Sequence, residues 1–96
     1  MRNIAFTWDP RKARSNLAKH GVSFAEAQSV FLDESGRLMD DPDQSADEDR
    51  FLILGYSFQA RCLIVSHCYR KSGAEIRLIS ARRATAREEE TYWSLK

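Results

Sequence analysis

The chain has 96 residues, of which 43% are hydrophobic and 30% are charged, a composition typical of a small globular domain and not of a disordered or collagen-like chain. No apolar run approaches the ~20 residues needed to span a bilayer, and residues 1–7 are too poor in apolar side chains for a signal peptide. The 15 basic and 14 acidic side chains give a formal net charge of +1, which taken alone does not indicate a nucleic-acid partner. We therefore expect a single domain over residues 1–96.

The N-terminal third of the chain predicts one short strand and two helices. Residues 4–8 are predicted as the strand, after which Asp9 and Pro10 suit the N-cap and the first position of a helix. Gly21 is expected to end this helix, because glycine readily adopts the left-handed conformation of a helix C-terminus. The segment SFAE at residues 23–26 matches a capping box and predicts the start of a second helix.

The remainder of the chain predicts a small sheet and a C-terminal helix. Residues 33–49 are a polar connection in which only residues 37–39 are expected to form a short strand. The capping-box segment at residues 85–88 opens the last helix. Between these lie three strand-like runs joined by tight antiparallel turns, at residues 51–56, 61–69 and 75–81.

The middle strand is apolar on both of its alternating faces, and strands of this kind normally have both faces covered. We expect the two N-terminal helices to cover one face and the C-terminal helix, or a partner protein, to cover the other. The elements together predict an α+β domain. Cys62 and Cys68 lie about 20 Å apart on this strand, too far for a disulfide. Their free thiols suit the reducing cytoplasm, and their spacing is not that of a zinc site.

The net charge of +1 is the sum of opposed blocks. Residues 33–49 carry eight acidic side chains and one basic, whereas residues 50–87 carry eight basic and one acidic. Seven of those eight bases are arginine, whose planar guanidinium binds phosphate bidentately and stacks on bases. The basic sheet therefore favours a nucleic-acid partner, although exposed strand ends paired with the acidic segment would account for the same charges.

Several ordered motifs match a known family. They occur in the segments WDPRKARSNLAKHGVSFAEAQSVF, DDPDQSADEDRF and IRLISARRAT, and together they resemble the BrnT toxins of bacterial type II toxin–antitoxin pairs. The resemblance implies a RelE-like fold, with two N-terminal helices and a C-terminal helix packed on a small antiparallel sheet. It also implies a ribonuclease that needs no metal or other cofactor and that inhibits translation.

The same resemblance implies the partners of the chain. The expected protein partner is a ribbon-helix-helix antitoxin similar to BrnA, and the pair would repress its own operon by binding operator DNA. RNA is the expected substrate, and no membrane partner is expected. Two positions depart from the family pattern, Gln44 in place of histidine and Glu89 in place of a basic residue. If either position assists catalysis or RNA binding, the activity would be weaker or differently selective.

Metal-free RNA cleavage uses the 2′-hydroxyl as nucleophile and leaves a 2′,3′-cyclic phosphate and a 5′-hydroxyl. The protein then has to supply cations for the charge on phosphorus, together with a general base and a general acid. Arg77 is a candidate cation because Ile76 and Leu78 point to the opposite strand face and isolate it on one surface. Arg82 is a second candidate because it precedes a helix start, which itself attracts phosphate. Pairing of Arg82 or Arg83 with Glu88 or Glu89 is the alternative.

His67 and Tyr92 are the candidates for proton transfer. His67 has a near-neutral intrinsic pKa, but it shares a strand face with apolar side chains, so a packing role is the alternative. The resemblance implies a catalytic tyrosine near the C-terminus, for which Tyr92 stands, although a core anchor would explain it equally well. His20 is a weaker candidate, because a histidine at a helix end is explained by the helix dipole.

The other candidate RNA contacts are basic residues on the first helix and the sheet. They are Lys12, Lys19, Arg61, Arg70 and Arg83. A solvated helix face would explain the two lysines as well as RNA binding does. Two further functions therefore stay open beside the ribonuclease: a non-catalytic module that binds its antitoxin and acts only in transcriptional repression, and a plain RNA-binding domain.

Overall fold

The computed structural model describes residues 3–43 and 48–94, so Gln44 lies outside the described residues. The α-helices and strands form the α+β arrangement that the sequence predicts. Short 3-10 turns follow the second helix and the fourth strand. The strands are β1 (Ala5–Thr7), β2 (Arg37–Asp40), β3 (Phe51–Tyr56), β4 (Cys62–Arg70) and β5 (Glu75–Arg83). The helices are α1 (Pro10–His20), α2 (Phe24–Ser29) and α3 (Ala86–Ser94).

The helix boundaries follow from local capping. The Asp9 side chain accepts a hydrogen bond from the backbone N–H of Arg11 at 2.8 Å, and Pro10 occupies the first turn of α1. Gly21 ends α1 with φ of 69°, the left-handed conformation that glycine adopts without strain. The Ser23 hydroxyl accepts from the backbone N–H of Glu26 at 3.0 Å and begins α2. The helix starts predicted from these residues are confirmed.

The five strands form one mixed sheet in the order β1-β5-β4-β3-β2. The pairs β2–β3, β3–β4 and β4–β5 are antiparallel. β1 pairs in parallel with β5, with Ala5 opposite Glu75 and Thr7 opposite Arg77. The expectation of an antiparallel sheet is therefore wrong at β1. A strand of three residues carries no local signal for its pairing direction.

The two faces of the sheet are covered unequally. One face, called here the helix face, packs against the α1 and α2 side of the molecule and holds the larger hydrophobic core. That core includes Val22, Phe24, Ala27, Val30, Ile53, Leu63, Val65, Ile76, Leu78 and Ala81. The opposite face, called here the open face, packs against Tyr92 of α3 through Leu54, Cys62 and Ile64. α3 thus covers one end of the open face, and the later part of β4 lies beyond it.

A β-bulge in β5 determines which side chains reach the open face. Ser66 pairs with Ser80 and the next residue of β4, His67, pairs with Leu78, so Ile79 has no partner on β4. The extra residue shifts the alternation of β5 by one position. As a result Arg77, Ser80 and Arg82 all lie on the open face, opposite the core residues of the same strand.

Asn16 of α1 completes the free edge of β5. β1 pairs with β5 only as far as Arg77, which leaves the edge of the later residues open. The buried Asn16 amide donates to the Ala81 carbonyl at 2.8 Å and accepts from the Ala81 N–H at 2.9 Å, as a neighbouring strand would. It also donates to the Val22 carbonyl at 2.9 Å. One side chain therefore joins α1, the turn after it and the edge of the sheet.

His67 lies inside the core on the helix face, with 0% of its surface exposed. Its ring packs edge-on against Phe31 with centroids 4.8 Å apart. Its Nδ1 lies 3.1 Å from the Val65 carbonyl oxygen, and its Nε2 lies 3.2 Å from the Tyr69 hydroxyl. Burial lowers the pKa of His67, partly offset by the hydrogen bond to the Val65 carbonyl. This neutral imidazole has the packing role given above as the alternative.

Replacing Asn16 by alanine is expected to destabilise the fold by about 3 kcal/mol, because two backbone groups of Ala81 would be left buried without partners. Urea unfolding monitored by circular dichroism measures the change. Ser15→Ala, at the exposed neighbouring position of α1, is the matched control and should shift stability by no more than about 0.5 kcal/mol. Equal stability of the two variants would contradict the role given to Asn16.

The stability of the fold is expected to fall as the pH drops below the ordinary His67 pKa of 6.5. The pKa is lowered in the folded state, so the unfolded chain takes up the proton first and unfolding is favoured at acid pH. His67→Gln should remove this part of the pH dependence, whereas His20→Gln should retain it. Urea midpoints measured from pH 7.5 to 5 check this, and parallel curves for wild type and His67→Gln would refute it.

Candidate active site

A cavity of about 180 Å³ lies on the open face, beside residues 41–43 of the acidic segment. It combines a guanidinium, two hydroxyls and two carboxylates with an apolar floor. Its lining residues are Asp41, Pro42, Asp43, Leu52, Ile64, Ser66, Ser80 and Arg82. A guanidinium and hydroxyls around a small cavity can hold a phosphate group, while the carboxylates can accept protons or hydrogen bonds.

Arg82 is held at the edge of this cavity by Glu88 of α3. Its Nη1 and Nη2 atoms donate to the two carboxylate oxygens of Glu88, both at 2.9 Å, and Nη1 also contacts the Arg83 carbonyl at 3.2 Å. The Glu88 carboxylate in turn accepts from the backbone N–H of Thr85 at 2.8 Å. The hydrogen bonds from Arg82 and Thr85 lower the pKa of Glu88 to about 2, so the ion pair persists at neutral pH.

Asp41 anchors the acidic segment to the sheet. Only 6% of its surface is exposed, and its carboxylate accepts hydrogen bonds from the Ser66 hydroxyl at 2.8 Å and the Asp43 N–H at 2.9 Å. Sequence reasoning assigned no separate role to residues 33–49 and did not single out Asp41, Ser66 or Ser80. Ser66 directly follows the apolar run of residues 62–65, and this change from apolar to polar is the signal in the sequence that points to the cavity.

A second, basic groove lies between α1 and β5 and has a volume of about 260 Å³. Its lining residues are Lys12, Ser15, Asn16, Lys19, His20, Ile79 and Ser80. Ser80 borders both this basic groove and the open-face cavity. The structure therefore brings Lys12 and Lys19, two of the predicted RNA contacts, next to the cavity that contains Arg82.

Arg77 and Arg70 lie on the open face farther from α3. Arg77 lies opposite Cys68 of β4 and is half-buried. Arg70 donates from Nη2 to Glu48 at 3.1 Å, which is the pairing with the acidic segment given above as the alternative for these bases. The open face thus presents three of the predicted arginines along one surface, with Arg82 bordering the cavity.

The remaining predicted basic residues lie on the other side of the sheet. Arg61 forms a bidentate ion pair with the buried Glu26 of α2, with Nε 2.9 Å from Oε2. The hydrogen bond from Arg61 lowers the pKa of Glu26 despite its burial. Arg83 pairs with Leu63, so it belongs to the helix face. Neither arginine shares a surface with the cavity, because β4 and β5 separate them.

His67 and Tyr92 do not reach the cavity either. His67 is enclosed on the helix face, and Tyr92 is 4% exposed. The Tyr92 hydroxyl donates to Asp33 at 2.7 Å, and burial together with that carboxylate raises the pKa of Tyr92 to about 12. Glu89, which departs from the family pattern, accepts a hydrogen bond from the Tyr56 hydroxyl. The contacts of Tyr92 and Glu89 attach α3 to Asp33 and to β3. The enclosed positions of His67 and Tyr92 do not support a catalytic role for either residue.

Three further observations concern the part of the chain that the structure describes. Within residues 3–43 and 48–94, no three His, Cys, Asp or Glu side chains are grouped so as to hold a metal ion. No helix in those residues is long and apolar enough to cross a membrane. Cys62 and Cys68 are both free, as their separation on the strand predicts.

Comparison with known proteins identifies the family. The chain matches a family model described as ribonuclease toxin, BrnT, of type II toxin-antitoxin system over residues 8–88. It is similar in fold to the crystal structure of the Brucella abortus ribonuclease toxin BrnT, with 21% identity and a TM-score of 0.67 over 86% of this chain and 99% of that chain. No curated protein matches it. Since the family match spans most of the sequence, the chain belongs to the BrnT family of ribonuclease toxins of type II toxin–antitoxin systems.

Proposed function

We propose that this chain is an endoribonuclease toxin that cleaves RNA on the open face without a metal ion. The observation that carries the proposal is the position of Arg82, which borders a cavity with two serine hydroxyls and is joined through Ser80 to the basic groove. A phosphate in the cavity would meet the guanidinium, and the adjoining groove would hold the neighbouring nucleotides. Single-stranded RNA fits such a surface because its backbone can follow a basic groove while its bases remain unpaired.

The proposed chemistry uses the 2′-hydroxyl of the substrate itself. Its oxygen attacks the adjacent phosphorus, the bond to the 5′-oxygen breaks, and the products carry a 2′,3′-cyclic phosphate and a 5′-hydroxyl. Negative charge grows on the phosphate oxygens during this step, and Arg82 is the cation that would stabilise it. Arg77 and Arg70, farther along the open face, would bind flanking phosphates, as would Lys12 and Lys19 on the other side of Ser80.

Proton transfer is assigned to groups that line the open-face cavity or the basic groove. His20 borders the basic groove, and histidine is the side chain most often used for general acid–base catalysis. Asp41 borders the cavity, where its carboxylate is oriented by Ser66. His67 and Tyr92 are left out of this assignment because both side chains are enclosed by the core.

The proposed partners follow from family membership. A type II toxin has a cognate antitoxin, which we propose is a BrnA-like ribbon-helix-helix protein that binds this chain in the cytoplasm. The complex would repress its own operon by binding operator DNA. The helices packed on a small sheet support assignment of the fold to the RelE-like group.

Purified, antitoxin-free chain incubated with RNA in excess chelator is expected to cut it internally. The products should end in 2′,3′-cyclic phosphate and 5′-hydroxyl, which end-specific labelling and mass spectrometry detect. Absence of cleavage combined with tight antitoxin binding would support the repression-only function instead. RNA affinity without cleavage or antitoxin binding would support a plain RNA-binding domain.

Arg82→Ala is expected to reduce cleavage by about 10²–10³-fold, because a preorganised contact to the developing charge is lost. Arg77→Ala should also reduce cleavage, and both variants should relieve growth arrest at equal expression. Arg87→Ala is the matched control, since Arg87 is exposed and does not line the cavity. Growth arrest by Arg77→Ala and Arg82→Ala at the level of Arg87→Ala would show that the site lies elsewhere.

A further inference from the structure

The guanidinium of Arg82 is only partly occupied by its protein partners. Arginine carries five N–H donors in a planar fork. Three of them are used within the described chain, two toward Glu88 and one toward the Arg83 carbonyl. The Nε–H and the second Nη2–H are left, and these two lie side by side in the geometry that matches two oxygens of a phosphate.

Glu88 is itself fixed by the start of α3. The backbone N–H of Thr85 donates to its carboxylate at 2.8 Å, and the Thr85 hydroxyl accepts from the Glu88 N–H at 3.2 Å. This reciprocal pair is a capping box, which defines both the helix start and the position of the carboxylate. The orientation of Arg82 is thereby tied to the backbone of α3 through a single side chain.

The solvent exposure of the Arg82–Glu88 ion pair indicates that its main role is not to stabilise the fold. The Arg82 and Glu88 side chains retain 42% and 31% of their accessible surface, and ion pairs this exposed stabilise a fold weakly. Asp41 and Asp43 line the same cavity as Arg82. An arginine without a fixed partner would have many rotamers available and could turn toward these carboxylates, away from a phosphate.

We propose that Glu88 is a positioning residue for the ribonuclease reaction, holding Arg82 so that its two remaining N–H donors face the scissile phosphate. This inference rests on the proposed function of the open-face cavity. Glu88 does not touch the substrate. It occupies one side of the guanidinium, keeps it away from the acidic side chains of the cavity and leaves the other side for the transition state.

The two roles of Glu88 can be separated by substitution. Glu88→Gln keeps an acceptor for the capping box, which uses Glu or Gln at this position, but removes the charge and the bidentate ion pair. Thr85→Ala does the reverse, because it removes the capping hydroxyl and keeps the Glu88 carboxylate. Glu90→Gln is the matched control, since it removes the same charge from an exposed position two residues along α3.

The experiment measures kcat, KM and urea midpoints of the full chain for these three variants with one defined RNA. Binding of the same RNA with a 2′-deoxy nucleotide at the cut site is measured in parallel, because that RNA cannot be cleaved. We expect Glu88→Gln to lower kcat by about tenfold to a hundredfold, the range for a misplaced catalytic group. KM and the affinity for the 2′-deoxy RNA should change by less than about threefold.

Thr85→Ala should give the contrasting result, a lower urea midpoint with kcat within about twofold of wild type. The inference is overturned if Glu88→Gln retains the kcat of Glu90→Gln, or if Thr85→Ala loses as much kcat as Glu88→Gln, which would show that Glu88 acts only by holding α3. If the wild-type chain cleaves no RNA in the same assay, the proposed function fails, and the positioning role fails with it.

Discussion

The hydrogen bonds of the Asn16 amide to the edge of β5 determine how the basic groove meets the open-face cavity. Because this side chain takes the place of a neighbouring strand beside Ala81, β5 can extend beyond β1 without exposing unpaired backbone at that point. α1 is thereby docked against the edge of the sheet. Its basic side chains consequently line a groove that ends at Ser80, the residue shared with the open-face cavity.

The sheet separates packing from the proposed chemistry. The helix face holds the larger core, and the charged groups near it are paired, as in the ion pair of Arg61 with Glu26. The open face is covered by α3 at one end, and the anchoring contacts of α3 involve Tyr92 and Asp33. The rest of that face presents Arg70, Arg77 and Arg82 together with the polar groups that line the cavity. A basic surface on a rigid sheet holds its charges in place, which is what electrostatic stabilisation of a phosphate requires.

Local signals in the sequence predicted most of the elements. Asp9, Gly21 and Ser23 mark helix ends through hydrogen bonds and conformations that involve only nearby residues. Alternation also placed His67 correctly on the face of Leu63 and Val65. The burial of His67 in the larger core depends on its contact with Phe31, thirty-six positions away in the sequence. No local pattern predicts such a contact. The catalytic interpretation of His67 loses its support for that reason.

The open-face cavity depends on two features that no local sequence pattern predicts. The bulge at Ile79 brings Arg77 and Ser80 to the same face, although their spacing of three would place them on opposite faces of a regular strand. The contact of Asp41 with Ser66 joins the acidic segment to the sheet across 25 positions. By contrast, the division of charge into acidic and basic blocks was visible in the sequence, and it indicated a nucleic-acid partner where the net charge of +1 did not.

The claim that RNA binds on the open face is tested most directly by NMR titration of the isotope-labelled chain with an RNA made uncleavable by 2′-deoxy substitution at the cut site. The backbone amides of Ser66, Ser80 and Arg82 should shift, together with those of Lys19 and His20 in the basic groove. The amides of the helix face near Phe24 and Arg61 should remain in place. Shifts confined to that helix face, with the open face unchanged, would contradict the placement of the site.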